Sequence, residues 1–217
     1  MNILLVHGLG RTIFSMKGLG HYLERQGHTV HYFGYAAFAQ SYEQIVVRLR
    51  HQLQSMVSHS PTPYAIVAHS LGGLLSRSAL ADEAIAPPQP LIMLGTPNQS
   101  PRAARWAWML PPFQWFARDC GHKLVTPSFC EQLPAPHFSY HIIAGTGGWT
   151  GMGSPFGTDV NDGLVALNET LISSSDRPSQ FPVFHTFMMN DAAVQATIQQ
   201  QLGGIERPLN TEKSTFE

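Results

Sequence analysis

Ala65-Ile66-Val67-Ala68-His69-Ser70-Leu71-Gly72-Gly73-Leu74-Leu75 decides the reading of this chain. An apolar run stops at His69-Ser70, and a helical pattern begins at once, with no linker between them. A strand that passes straight into a helix leaves the junction residue on a sharp turn, its side chain thrown clear of the sheet. Small residues must surround such a turn, because strand and helix approach within contact distance, and Ala68, Gly72 and Gly73 supply them. The residue at the apex is Ser70, so the stretch reads as a nucleophile presented at a strand end. A glycine-rich turn with an incidental serine would look similar over five residues. The strand before it and the helix after it separate the two readings.

Outward from this point, strands and helices alternate. Ile3 to Val6, Leu91 to Leu94 and Tyr140 to Gly145 are short and almost continuously apolar, as strands covered on both faces must be. His28 to Phe33 carries β-branched and aromatic residues and reads as another strand, as does Gln180 to Phe184. Helical spacing runs over Ser15–Gln26, over Ser41–Ser58 with Ser41 as N-cap, from Leu71 to about Ala84, and over Asp191–Leu202 before Gly203-Gly204. This alternation predicts an α/β fold, a mostly parallel sheet of about six strands with helices on both faces. Residues 1–206 are expected to form one domain, with 99–137 inserted as a lid or cap and 207–217 left as a C-terminal tail.

A serine hydroxyl needs a general base, and the base needs a partner that orients it. After an elbow of this kind the acid follows in the chain and the base comes last, on loops beyond the later strands. Of eleven histidines, only His185 lies beyond His141. Asp162, in Asn161-Asp162-Gly163, is favoured as the acid, with Asp159 as the alternative. Asp176 and Asp191 read as surface or helix-cap residues. The backbone N–H groups of Leu71 and of Leu9, in His7-Gly8-Leu9-Gly10, are candidate oxyanion donors. His7 is expected to hold that loop, while His69 is expected to leave the opposite face of the turn. Trp106, Trp108, Met109, Phe113, Trp115 and Phe116 are candidate substrate-binding residues. Their stretch also admits an interfacial reading, in transient contact with a membrane or lipid surface, or plain cap packing. Pro111-Pro112 rules out one continuous helix across it.

Composition narrows the partners. The chain has 217 residues, 43% of them hydrophobic and 12% charged, with a formal net charge of −1. No Lys/Arg cluster suggests nucleic acid. No leader or membrane-spanning run is read, and Cys120 and Cys130 are expected to be reduced thiols, so a cytoplasmic location is expected. Asp159 to Gly163 lacks the spacing and the final Glu of a calcium loop, and Gly145 to Gly148 lacks the Lys-Ser/Thr of a phosphate loop. No metal and no cofactor is expected.

The motifs Val6-His7-Gly8-Leu9-Gly10, Ala68-His69-Ser70-Leu71-Gly72-Gly73 and Leu94-Gly95-Thr96-Pro97 together resemble the small α/β-hydrolases of the lipase/esterase group. Pro127-Ser128, Asn161-Asp162-Gly163-Leu164-Val165 and His185-Thr186-Phe187 extend the match over nearly the whole chain. The likeness is to minimal bacterial lipases and to GPI inositol-deacylase-like proteins. It implies an α/β-hydrolase fold, Ser70, Asp162 and His185 as a catalytic triad, and cleavage of small-molecule or lipid carboxylic esters through an acyl-enzyme. An acyltransferase or thioesterase using the same intermediate is an alternative, as is a non-catalytic binding protein that keeps the fold. Relative to the smallest lipases, a longer insert is read and a secretory signal is not expected.

Overall fold

The computed structural model describes residues 1–59 and 62–203. The expected breaker at Ser60-Pro61, the stop at Gly204 and the tail 207–217 lie outside the described residues. Six parallel strands form one sheet: β1 (Asn2–Val6), β2 (Thr29–Phe33), β3 (Tyr64–His69), β4 (Leu91–Leu94), β5 (Tyr140–Gly145) and β6 (Ser179–Phe181), in the order β2-β1-β3-β4-β5-β6. Around them run α1 (Lys17–Arg25), α2 (Tyr42–His59), α3 (Leu71–Leu80), α4 (Arg102–Trp108), α5 (Pro111–Val125), α6 (Pro127–Gln132) and α7 (Ala192–Gly203).

The alternation of side chains across the sheet divides the core in two. Leu4, Val6, Ile66, Ala68 and Met93 face one way and bury against Leu49 and Leu53 of α2 and Leu71 and Leu74 of α3. Ile3, Leu5, Val67, Ile92 and Ile143 face the other way, against Leu19 and Leu23 of α1 and Val194 and Ile198 of α7. Both faces are covered, so β3 and β4 are buried at every position. That is the physical reason for their unbroken apolar runs.

Most boundaries shift by a residue, and three differ for a local reason. The first helix opens with a 3-10 turn over Ile13–Met16. The helix after Ser70 stops at Leu80, and just beyond it the Asp82 carboxylate accepts the Ala84 N–H, turning the chain aside. The last strand ends at Phe181 because Pro182 has no N–H for the ladder. Elsewhere local chemistry agrees with the expected element. Ser41 Oγ accepts the Gln44 N–H at 3.2 Å, and Gln44 Oε1 accepts the Ser41 N–H at 2.9 Å, a reciprocal cap that starts α2.

The strand order places the site. From β1 the chain crosses to the edge strand β2, then returns to β3 on the other side of β1 and proceeds outward. The loops leaving β1 and β3 therefore part in opposite directions, which opens a crevice at the C-terminal ends of these strands. Val6 and Ala68 are in register, so the two loops begin level with each other. Residues 102–132 form three helices above this edge, α4 to α6. Pro111 and Pro112 occupy the first positions of α5, where their missing N–H groups cost nothing. Among the described residues no helix is long and apolar enough to cross a membrane.

Candidate active site

Ser70 joins β3 to α3 with φ 52° and ψ −123°, a conformation that costs a non-glycine residue about 1–3 kcal/mol. Neighbouring backbone holds it there. The Ser70 N–H donates to Leu94 O at 2.9 Å, and Ser70 O accepts the Gly73 N–H at 2.9 Å. Gly72 explains the tightness of the turn. A Cβ there would stand 2.7 Å from both the Val6 and His7 carbonyl oxygens, so only glycine lets α3 start against the end of β1.

Asp162 comes from the loop after β5, and His185 opens the 3-10 turn after β6. Both are buried. His185 Nδ1 lies 2.7 Å from Asp162 Oδ2, while Asp162 Oδ1 accepts the N–H groups of Leu164 at 3.0 Å and Val165 at 2.7 Å. A carboxylate held this way accepts from Nδ1–H, which leaves Nε2 of the neutral ring with its lone pair. The His185 N–H also donates to Asp162 O at 2.9 Å, so backbone and side chain tie the two residues together. Asp159, the alternative acid, is instead 2.8 Å from Arg102 and half-exposed.

Ser70 and His185 line one cavity of about 250 Å³, together with Leu9 and His69. Among the described residues, Ser70 Oγ forms no hydrogen bond with the imidazole, and the N–H groups of Leu9 and Leu71 have no acceptor. Catalytic hydrogen bonds are often open before substrate binds. His7 sits as expected: its ring stacks on Tyr35 with centroids 4.1 Å apart, Nδ1 donates to Gly8 O at 2.9 Å, and Nε2 accepts the Tyr35 N–H. Burial pushes its pKa down, which suits a ring that must both donate and accept.

Two residues at the centre have roles the sequence reading did not assign. His69 is fully buried, and its Nε2 donates to the backbone oxygen of His185 at 3.0 Å. The two rings lie 4.7 Å apart. Burial first, and then the neighbouring His185, hold the His69 pKa well below its ordinary value; Arg11 acts in the same direction. The sequence put His69 on the far side of the turn; the structure instead sets it against the His185 backbone. Gly95, at φ 54° after β4, lies directly under the pair. A Cβ there would be 2.9 Å from His185 Nδ1 and 3.0 Å from Asp162 Oδ2. Its place in Leu94-Gly95-Thr96-Pro97 was the available signal.

The helices of residues 102–132 supply much of the cavity's apolar wall, through fewer of the named residues than the sequence suggests. Phe113 and Phe116 line the cavity, along with Ala103, Ala104 and Ala107 of α4. Helical spacing puts those alanines on one side of α4 and sends Trp106 to the other. Trp106, Met109 and Trp115 are 60%, 70% and 74% exposed. Trp108 packs within the cap, edge-on to Phe113 and beside His122. Arg102 fastens the cap to the acid loop: its Nε meets Glu169 at 2.8 Å and its Nη2 meets Asp159 at 2.8 Å. Buried Arg77 of α3 donates to Asn98 Oδ1 and to the Leu133 and Pro134 carbonyls, holding the far end of the insert. Cys120 and Cys130 are buried and are not bridged. Among the described residues no group of three or more His, Cys, Asp or Glu side chains could hold a metal.

Residues 3–208 match the model of the Alpha/beta hydrolase family. Among solved structures, the chain is similar to the mature lipase BlEst2 of Bacillus licheniformis, with 18% identity, a TM-score of 0.72, and coverage of 92% of this chain and 91% of that one. It is also similar to the phospholipase PlaB of Legionella pneumophila, with 16% identity and a TM-score of 0.63 over 79% of this chain and 46% of that one. The RedJ thioesterase of Streptomyces coelicolor matches with 14% identity and a TM-score of 0.57 over 93% and 85%. No curated protein matches the chain.

Proposed function

The chain belongs to the alpha/beta hydrolase family, and from that premise we propose that it is a serine hydrolase of carboxylic esters. The observation that carries this reading is the His185–Asp162 contact of 2.7 Å, made by a ring that shares one cavity with Ser70. In the proposed reaction Ser70 Oγ attacks the ester carbonyl carbon while His185 Nε2 takes the hydroxyl proton. Asp162 keeps Nδ1 protonated and stabilises the imidazolium. The N–H groups of Leu9 and Leu71 donate to the tetrahedral oxyanion. The carbon–oxygen bond to the alcohol breaks as His185 returns the proton to it, leaving an acyl-enzyme. Water then repeats the sequence, so ester and water become carboxylic acid and alcohol.

The cavity of about 250 Å³, walled by alanine, proline, leucine and phenylalanine side chains, suits a modest apolar acyl group. Outward Trp106, Met109 and Trp115 fit transient contact with a lipid surface from which such esters are drawn. Two buried, unbridged thiols suit a reducing compartment, and the cytoplasm is the location we propose. The likeness in fold to a thioesterase keeps acyl thioesters as a second substrate form. Parallel rates on matched oxygen and sulfur esters separate the two. The primary test is turnover of p-nitrophenyl hexanoate by Ser70→Ala. The expected loss is on the order of 10⁶-fold in kcat if the three residues act as a unit; near-normal turnover refutes the assignment.

A further inference from the structure

The charge around the catalytic cavity is one-sided. Its walls carry a single charged side chain, Arg11, and no carboxylate. Arg11 closes the turn after the oxyanion loop, its N–H donating to Gly8 O at 3.3 Å, which fixes it two residues beyond Leu9. A second cavity, of about 270 Å³, adjoins the first through their shared wall Phe116. Phe38, Trp115 and Arg118 complete it. Among the described residues neither Arg11 nor Arg118 has a carboxylate within ion-pair distance. Three other arginines are engaged: Arg50 meets Asp82, Arg102 meets Asp159 and Glu169, and Arg77 is buried against Asn98 and two carbonyls. What sets Arg11 and Arg118 apart from the remaining unpaired arginines is that they line the two adjoining cavities. Arg118 stands at the kink that divides α5 in two, at φ 42°, a conformation that costs a non-glycine residue about 1–3 kcal/mol. Among the described residues its guanidinium makes no hydrogen bond.

Two unpaired guanidinium groups beside an apolar, acid-free site form a receptor for an anion joined to an apolar chain. Resting on the hydrolase reading, we infer that the preferred substrates are acyl esters bearing a phosphate or carboxylate group. The acyl chain lies along the Ala103–Ala107 face of α4. The anion is drawn to Arg11 at the mouth of the cavity and, in longer substrates, past Phe116 toward Arg118.

The test compares kcat/KM for 1-hexanoylglycerol, its 3-phosphate, and the hexanoyl ester of glyceric acid. Charge-assisted pairing predicts about a 10- to 100-fold preference for the anionic esters over the neutral one. The preference should shrink as salt is added. Phosphate against glycerate identifies which anion fits better. Arg11→Gln should collapse the anionic-to-neutral ratio, and Arg11→Lys should retain part of it. A wild-type ratio at or below one, or a ratio unchanged in Arg11→Gln, overturns the inference. Loss of all three rates in proportion overturns it too, because Arg11 would then serve the reaction and not the choice of substrate. If none of the esters is cleaved, the hydrolase reading fails, and calorimetric binding of hexyl phosphate against hexanol still decides the anion site. Tighter binding of the phosphate that disappears in Arg11→Gln upholds it, and equal binding overturns it.

Discussion

Two non-glycine residues take nearly the same left-handed backbone, Ser70 at φ 52°, ψ −123° and Arg118 at φ 42°, ψ −131°. They belong to regions built in different ways. Ser70 stands on the floor of the site, where three parallel strands end together and buried backbone bonds fix the loop on every side. Arg118 stands in the cap, where three short helices present Trp106, Met109 and Trp115 to solvent. The floor is tightly packed: a methyl added at Gly72 or Gly95 would collide with its neighbours. The cap hangs on a few polar anchors, chiefly Arg102 on the acid loop and Arg77 beneath residues 133 and 134. A rigid floor holds reacting groups in place, and a sparsely anchored cap can differ in shape without disturbing them.

Changes to the floor should therefore be the costly ones, and they should act on kcat. Asp162→Asn removes the group that fixes the His185 tautomer and is expected to lower kcat by about 10³- to 10⁴-fold with little change in KM. A drop of less than tenfold in steady-state rates would detach Asp162 from the chemistry. Next in size is Gly95→Ala. Its methyl would press on both His185 Nδ1 and Asp162 Oδ2, and a displacement of about 1 Å can cost on the order of 10²-fold in rate. Wild-type kcat in this variant would show that the pair tolerates movement the account forbids.

Arg102→Ala probes the cap side of the comparison. It leaves the nearly buried Glu169 carboxylate short of a partner, so urea unfolding should lose about 1–3 kcal/mol. KM should rise as the alanine face of α4 shifts, while kcat stays within a few-fold. If kcat falls as far as it does in Gly95→Ala, the floor and cap are not separate in function.

The smallest expected effect comes from pH. His69 is neutral in the fold because burial holds its pKa well below 6.5, and His7 and His141 are lowered in the same direction by burial. The unfolded chain takes up protons on these rings below about pH 6.5, where the folded chain does not. Stability is thus fully present above that pH and falls beneath it, by at most about 1.4 kcal/mol per pH unit for each ring. Urea midpoints level above pH 7 and declining from about pH 6.5 to 5 are expected; a level profile throughout contradicts the buried neutral state.

The same contrast explains what the sequence disclosed. The strands and the Ser70 turn were legible because local constraints dictate them: unbroken apolar runs where both faces are covered, and Gly72 where α3 meets β1. His185 was singled out as the last histidine, and Asp162 over Asp159 through its flanking Gly163; the structure brings these two side chains into contact at 2.7 Å. The support of His69 for the His185 backbone was not legible, since it joins residues 116 positions apart and depends on how two loops meet. In the cap, the count of aromatics suggested a substrate wall. The helical phase of α4, set by where Arg102 is anchored, instead turned the alanines inward and Trp106 outward.

The central claim is that this floor makes the Ser70 hydroxyl nucleophilic. The direct measurement is labelling of the folded protein with a fluorophosphonate, followed by peptide mass spectrometry to locate the adduct. The account predicts one adduct, on Ser70, formed quickly in the wild type and far more slowly in His185→Ala. An unlabelled folded protein, or an adduct on a different residue, would contradict it.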